Sequence, residues 1–262
     1  MSVPRGFRTL TPYPVVHNVP GMIAFMKEVF GPSHAVEETL RTHGSGGYHS
    51  EVRIGDCMLM IGGGGPDLSW QGQSRPMAFH IYVPDTDEAY ARALAAGAAS
   101  LQPPTTQPWG ERTANIKDPF GNNWYIATFQ GDNYFSEDAP TLQPYLHPVQ
   151  SAPVIDFLER AFDARETGRA TSPEGAVLHT TVKIGDAAME FFDADGIYQP
   201  MPGMFYLYVP DVDAVYRRAL EAGATSISEL ADHAYGDRSG GVEAFGNKWY
   251  IATHSAASAA TS

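Results

Sequence analysis

The side chains in this sequence that could carry chemistry are histidines and tyrosines in short extended segments. His80 stands two residues before Tyr82, and Tyr125 lies in another such segment. Alternate side chains of a β-strand share a face, so His80 and Tyr82 should face one way, with Phe79 and Ile81 packing on the other side. Tyrosine combines apolar area with one hydroxyl group. The pattern predicts a concave, aromatic-lined pocket with few polar groups, which is typical of small-molecule sites.

Strand alternation extends this prediction to both halves of the chain. The expected ligand-binding residues share the inward face or a loop at the mouth of the pocket: Tyr13, His80, Tyr125, Tyr145, His147, Tyr206, Tyr250 and the loop residue Trp109. The candidates for acid–base catalysis are His49, His80, His179, Tyr125 and Tyr250. His80 is either a hydrogen-bonded structural histidine or an acid–base group. The recurrence of His49 as His179 reflects either a shared polar anchor or common descent.

A Gly-acid-Arg motif occurs twice, as Gly110-Glu111-Arg112 and Gly236-Asp237-Arg238. Each arginine could clamp an anionic ligand. The alternative, which we favour, is a structural ion pair between each arginine and the acid before it.

Other segments recur at the same spacing. Tyr-Val-Pro-Asp occurs at 82–85 and 208–211, and Phe-Gly-Asn-x-Trp-Tyr-Ile-Ala-Thr occurs at 120–128 and 245–253. A separation of about 126 residues (208 − 82) is too long for a solenoid repeat and fits a whole domain. The sequence therefore predicts a tandem duplication, in which the two copies can be compared with each other.

Each copy has the pattern strand, helix and further strands, occurring twice. Apolar spacing predicts helices at 21–30, 87–96, 152–162 and 213–221, and Asp211 and Asp213 stand where an N-cap and a first-turn acid belong. We predict a first domain at 7–129, a linker at 130–141, a second domain at 142–254 and a disordered tail at 255–262.

Composition excludes several classes of protein. The 262 residues carry a formal charge of −13 and no basic run, which argues against a nucleic-acid partner. No secretory signal or apolar stretch of membrane-spanning length is evident, so we expect a cytoplasmic protein without a membrane partner. The single cysteine, Cys57, suits a reducing compartment. The sequence leaves open whether the chain forms a homodimer.

These motifs together resemble the vicinal oxygen chelate superfamily, which includes glyoxalase I, extradiol dioxygenases and bleomycin-resistance proteins. Three segments are similar to its PhnB-like branch: residues 209–219, Tyr-Gly-Asp-Arg at 235–238 and Phe-Gly-Asn-Lys-Trp at 245–249. The resemblance implies an α+β fold of two tandem domains. Each domain would be a pair of βαβββ units forming an eight-stranded, cup-shaped mixed sheet with helices on the outer face.

The resemblance also implies a divalent metal held by His or Gln, Glu, His and Glu on four strands. The corresponding positions here are occupied by Thr11, Met60, Ala78 and Tyr125 in the first copy, and by Gln143, Glu190, Met204 and Tyr250 in the second. A neutral phenol is a poor ligand at pH 7. We therefore expect no metal in the first copy. If the second copy holds a divalent metal, its ligands should include Gln143 and Glu190.

Two classes of function remain open at this point. The chain is either a glyoxalase-like or bleomycin-resistance-like protein that binds a small organic molecule, its standard metal site lost or altered, or an enzyme. An enzyme would be a lyase, isomerase or dioxygenase that uses an atypical ligand set in the second domain or its His and Tyr side chains. In both classes, one of the two domains could be purely structural.

Overall fold

A computed structural model describes residues 3–43, 46–130 and 140–254. It confirms the predicted α+β class and the repeated order of strand, helix and strands. The predicted tail at 255–262 and most of the predicted linker at 130–141 lie outside the described residues. None of the described helices is long and apolar enough to cross a membrane.

The described residues of the first half form two helices and nine strands. In order these are β1 (Leu10–Pro12), β2 (Val15–Val16), α1 (Val19–Phe30), β3 (Val36–His43), β4 (Gly47–Ile54), β5 (Cys57–Gly63), β6 (Ala78–Tyr82), α2 (Thr86–Ala95), β7 (Ala99–Thr106), β8 (Glu111–Lys117) and β9 (Asn123–Phe129).

The second half repeats this order with small changes. Its elements are β10 (Leu142–Leu146), α3 (Ser151–Phe162), β11 (Arg165–Thr171), β12 (Val177–Ile184), β13 (Ala187–Phe191), β14 (Met204–Tyr208), α4 (Val212–Glu221), β15 (Thr225–Asp232), β16 (Asp237–Ala244) and β17 (Asn247–His254).

The described chain forms two compact units. The first unit is Tyr13–Tyr145, and the second combines the segment up to Pro12 with the segment from Leu146 onward. β1 belongs to the second unit because it pairs antiparallel with β14, and most of β10 belongs to the first because it pairs antiparallel with β6. Compactness alone does not show which segments fold independently, so the domain limits of 7–129 and 142–254 stay a prediction.

Within each unit the strands form mixed sheets. The first unit contains the orders β2–β5–β4–β3 and β10–β6–β9–β8–β7, and the second contains β1–β14–β17–β16–β15 and β11–β12–β13. The central pairs β6–β9 and β14–β17 are parallel. Their registers place His80 opposite Tyr125 and Tyr206 opposite Tyr250.

An aromatic core of the same design stabilises each unit. One fully buried tryptophan packs against a phenylalanine from a central strand and another from the end of a helix. The members are Trp124, Phe79 and Phe30 in the first unit, with centroids 4.7 and 4.8 Å from the tryptophan, and Trp249, Phe205 and Phe162 in the second, at 4.5 and 5.1 Å. Each buried aromatic removes roughly 150–250 Å² from water, so this cluster fixes the helix on its sheet.

The helices begin one or two residues before the predicted starts, and three of the four described helices have a side-chain N-cap. The Asn18 side chain accepts a hydrogen bond from the amide of Gly21, and Asp85 accepts one from Glu88. Asp211, predicted from sequence as a cap, accepts one from the amide of Ala214 at 3.0 Å. Each cap satisfies an amide that has no partner inside the helix.

We expect Asp211→Ala to lower the free energy of unfolding by about 1 kcal/mol, since the first turn of α4 loses this acceptor. Chemical denaturation of the full chain measures the change. Gln150→Ala is the matched control, because Gln150 holds the N-cap position of α3 without a side-chain capping bond. Equal losses in the two variants would contradict the assigned role of Asp211.

Candidate ligand-binding site

One face of the strands β10, β6 and β9 carries a row of polar and aromatic side chains. Gln143 lies opposite His80, which lies opposite Tyr125, and directly opposed residues share a face. The Tyr145 ring lies beside this row, 4.7 Å from the Tyr125 ring and 6.3 Å from the His80 ring between centroids. The His80 ring is also 4.6 Å from that of Tyr82. The structure therefore brings Tyr145, which the sequence assigned to the pocket of the second domain, beside His80 and Tyr125 of the first.

Burial divides this face, which we call the tyrosine face (His80, Tyr125, Gln143 and Tyr145), into two parts. His80 and Gln143 are buried, whereas Tyr125 and Tyr145 are partly exposed. A polar base with accessible aromatic rings can contact a planar molecule and hydrogen-bond its polar edge.

Tyr13 and His49 form a separate pair in the first unit. The Tyr13 hydroxyl lies 2.7 Å from His49 Nδ1, and the two rings meet edge to face at 5.5 Å. Tyr13 also packs against Gly62, where an added Cβ would come within 3.0 Å of the ring. The pair therefore orients the His49 ring, which fits the polar-anchor alternative without assigning a catalytic role.

A buried carboxylate that the sequence did not single out lies close to the predicted residues. Glu111, the first residue of β8, is buried and accepts hydrogen bonds from the Tyr82 hydroxyl at 3.0 Å and from Trp109 Nε1 at 2.8 Å. Trp109 is largely exposed. Its indole ring is therefore held by Glu111, in agreement with its predicted place on a loop.

The second unit repeats this arrangement with different partners. Asp237 is buried and accepts hydrogen bonds from the Tyr206 hydroxyl at 2.9 Å and from His254 Nδ1 at 2.6 Å. Burial, followed by the nearby charge of Asp237, raises the pKa of the Tyr206 hydroxyl far above its usual range. Tyr206 therefore stays a neutral phenol and donates to the carboxylate.

The Gly-acid-Arg motif was the signal that could have revealed these acids, but its predicted pairing was wrong. Arg112 binds Asp87 of α2 through two nitrogens, and Arg238 binds Asp213 of α4 in the same way at 2.8 Å. Because adjacent strand residues point to opposite faces, the arginine turns toward its helix while the acid before it turns to the other face.

The remaining predicted residues of the second unit lie on different segments of the chain. Tyr250 lies opposite Tyr206 in the register of β14 and β17. His179 Nε2 lies 3.5 Å from Oε2 of the buried Glu190. His147 is fully buried and packs with Phe192 and Tyr198. The charge of Glu190 also acts on His147, so His147 and His179 both lie near this carboxylate.

The residues present do not fit the metal site that the superfamily resemblance implies. Ala78, Met60 and Met204 cannot replace imidazole or carboxylate ligands, which suit such metals. Among residues 3–43, 46–130 and 140–254, no group of three or more His, Cys, Asp or Glu side chains is placed to hold a metal ion. Gln143 belongs to the first unit and Glu190 to the second. The metal content of the protein stays a prediction, and we derive no chemical step through a metal.

The fold and the repeated sheet faces place the chain in a family. A model of the glyoxalase/bleomycin resistance protein/dioxygenase superfamily matches residues 15–126 and 151–251. The match covers both repeats and more than half of the chain, so the chain belongs to this superfamily.

Individual relatives add detail. Uncharacterized proteins of Mycobacterium tuberculosis and Mycobacterium bovis are 36% and 37% identical over 134 and 124 residues, covering 47% and 43% of this chain and 79% and 82% of their own lengths. Maize (Zea mays) glyoxalase I matches 95% of this chain and 92% of its own with a TM-score of 0.70 at 12% identity. A putative dioxygenase from Bacillus subtilis matches 93% and 84% with a TM-score of 0.59 at 14% identity. At these identities the solved structures show the fold alone.

Proposed function

We propose that this protein binds a small planar organic molecule on the tyrosine face of its first unit. The observation that carries the proposal is the row of Gln143, His80 and Tyr125, flanked by Tyr145, on one face of three paired strands. Partly exposed rings beside buried polar groups supply stacking area together with hydrogen-bonding groups. Such a face recognises a ligand by aromatic contact and does not require metal coordination.

Substitution of the tyrosines tests this proposal. We expect Tyr125→Ala and Tyr145→Ala to weaken binding of a neutral planar probe such as 2-naphthol by about fivefold each, since an aromatic contact contributes on the order of 1 kcal/mol. Titration calorimetry gives the dissociation constant, and thermal unfolding of the same variants reports stability.

Tyr90→Ala is the matched control, because Tyr90 lies on α2 and bonds Ser100. Tyr250→Ala, at the corresponding strand position of the second unit, shows which repeat binds the probe. If Tyr125→Ala and Tyr145→Ala lose several kcal/mol of stability while the dissociation constant stays unchanged, these rings serve only as core and the proposal is wrong.

A second candidate function is an enzyme, favoured by the Asp237–His254 hydrogen bond at 2.6 Å. A buried carboxylate that orients an imidazole is a common arrangement for proton transfer. A lyase, isomerase or dioxygenase would convert its bound molecule, whereas a binding protein releases it unchanged. Mass spectrometry of the recovered ligand distinguishes the two. A cytoplasmic location, suited to the buried thiol of Cys57, is part of the proposal in both cases.

A further inference from the structure

The second unit contains a cavity of about 300 Å³ whose described lining residues include no tyrosine. It lies between the segment that enters α3, the loop before β14 and the turn that joins β16 to β17. The side chains that define it are His147, Pro148, Pro153, Pro202, Phe245 and Asn247. We call it the α3 cavity.

The equivalent region of the first repeat, at the start of α1, provides a comparison for the α3 cavity. There Phe120 stands in the position of Phe245 in the shared Phe-Gly-Asn motif. Its ring lies 3.0 Å from where a Cβ of Gly21 would be and 5.8 Å from the His17 ring between centroids. Phe120 therefore packs down onto the start of α1.

The second repeat carries the equivalent phenylalanine on a different turn, although Phe245 still meets Phe157 of α3 edge to face at 6.2 Å, much as Phe120 meets Phe25 of α1 at 6.5 Å. Trp249 pairs with Val242, whereas Trp124 pairs with Ile116, so the connection between the strands is one residue shorter. Phe245 and Gly246 form a two-residue turn with φ of 51° and 75°, as in a type I′ hairpin. A bulky residue at positive φ is strained, and the Phe245 side chain is 56% exposed.

The start of α3 also differs from the start of α1. Pro153 occupies the position that corresponds to Gly21 and lines the cavity. Phe245 thus places a strained, exposed aromatic ring at the rim of this cavity. Strain of this kind is concentrated at functional sites.

The chemistry of the lining defines the ligand class. Among the described residues that line the α3 cavity, none is Asp, Glu, Lys or Arg. Burial lowers the pKa of His147 to about 4, so its imidazole is neutral at pH 7. A charged ligand would lose hydration without gaining an ionic partner. A volume of about 300 Å³ is at the lower end for small-molecule sites, which suits one or two fused rings.

We propose that the α3 cavity is a second ligand site, separate from the tyrosine face, that binds a small neutral aromatic molecule through Phe245 and the surrounding prolines. The neutral His147 ring and the side chain of Gln150, which makes no capping bond with α3, supply hydrogen-bonding groups for one polar atom of the ligand.

Indole is a suitable probe because it is neutral and bicyclic and has a single N–H donor. In a titration of the full chain followed by amide NMR, we expect saturable shifts at the non-proline residues of 146–154, at Met201 and at 245–247. Phe245→Ala should weaken indole binding about fivefold. Leu178→Ala, at an exposed apolar position on β12 that does not line the cavity, should leave the affinity unchanged. Benzoate and benzylamine should bind at least about tenfold more weakly than indole.

Three results would overturn the proposal. The first is no saturable shift at these amides with millimolar indole, and the second is an indole affinity that Phe245→Ala leaves unchanged. The third is a dimer that Phe245→Ala dissociates in light scattering, which would mean that a second copy of the chain covers the cavity. None of these results depends on Tyr125 or Tyr145, so the proposal for the tyrosine face stands or fails independently.

Discussion

Replacing Asp118 with alanine should lower the free energy of unfolding by about 3–5 kcal/mol. Asp118 is buried in the turn between β8 and β9, where its carboxylate accepts four hydrogen bonds. The donors are the amides of Phe120 and Asn122, the Asn122 side chain and the Trp124 indole nitrogen, at 2.8–2.9 Å. Burial raises the pKa of this carboxyl group, and the hydrogen bonds oppose the shift.

The reason for so large an effect is that the variant leaves buried donors without an acceptor. Each such group costs about 1–3 kcal/mol, and the turn that Asp118 organises also holds Phe120 against α1. Urea denaturation of Asp118→Ala, Asp118→Asn and the exposed neighbour Lys117→Ala measures the effect. We expect Asp118→Asn to lie between the other two, and Lys117→Ala to change stability by less than about 0.5 kcal/mol. A loss below 1 kcal/mol for Asp118→Ala would refute this account.

The second repeat has no acid at this position. Alignment of the strand pairs, with Val242 for Ile116 and Trp249 for Trp124, makes Ala244, the last residue of β16, the equivalent of Asp118. Trp249 Nε1 is buried and has no hydrogen-bond partner among the described residues. A buried donor of this kind is rare in native proteins. The repeat with the shorter turn, between β16 and β17 beside the α3 cavity, thus also lacks the tryptophan–carboxylate hydrogen bond that Trp124 makes in the first repeat.

The second large effect is a pH dependence of stability caused by His147. Burial lowers its pKa to about 4, although the charge of Glu190 and a backbone hydrogen bond act in the opposite direction. The unfolded chain, with a pKa near 6.5, binds this proton more readily than the folded chain. The contribution of the neutral His147 ring to the free energy of unfolding is therefore fully present above about pH 6.5 and is lost as the pH falls toward 4.

A difference of about 2.5 pKa units corresponds to about 3 kcal/mol. Between pH 7 and pH 4 the wild-type chain should therefore lose about 3 kcal/mol more than His147→Phe, because carboxylate effects are common to both proteins and cancel. His17→Phe, the same substitution at an exposed position, controls for loss of an imidazole as such. Parallel stability–pH curves for wild type and His147→Phe would show that His147 is not held neutral by burial.

Local features of the fold could be predicted from the sequence because they depend on neighbouring residues. Apolar spacing and capping acids such as Asp211 located the helices to within two residues. Strand alternation gave His80 and Tyr125 the same inward face, because that alternation is a property of the extended backbone itself. Tyr145 was expected in the pocket of the second domain, and only the pairing of β10 with β6 brings it beside them. Repetition at about 126 residues indicated two copies of one design.

The tertiary structure decided what depends on partners distant in the chain. It pairs β1 with β14 and β10 with β6. Pairing between strands so distant in the chain depends on which sheet edges the fold of each unit leaves available. It turns Arg112 toward Asp87 and buries Glu111, because adjacent strand residues face opposite ways. It also forms the α3 cavity. The turn between β16 and β17 is one residue shorter than its counterpart, but it borders a cavity only because α3 and the loop before β14 lie around it.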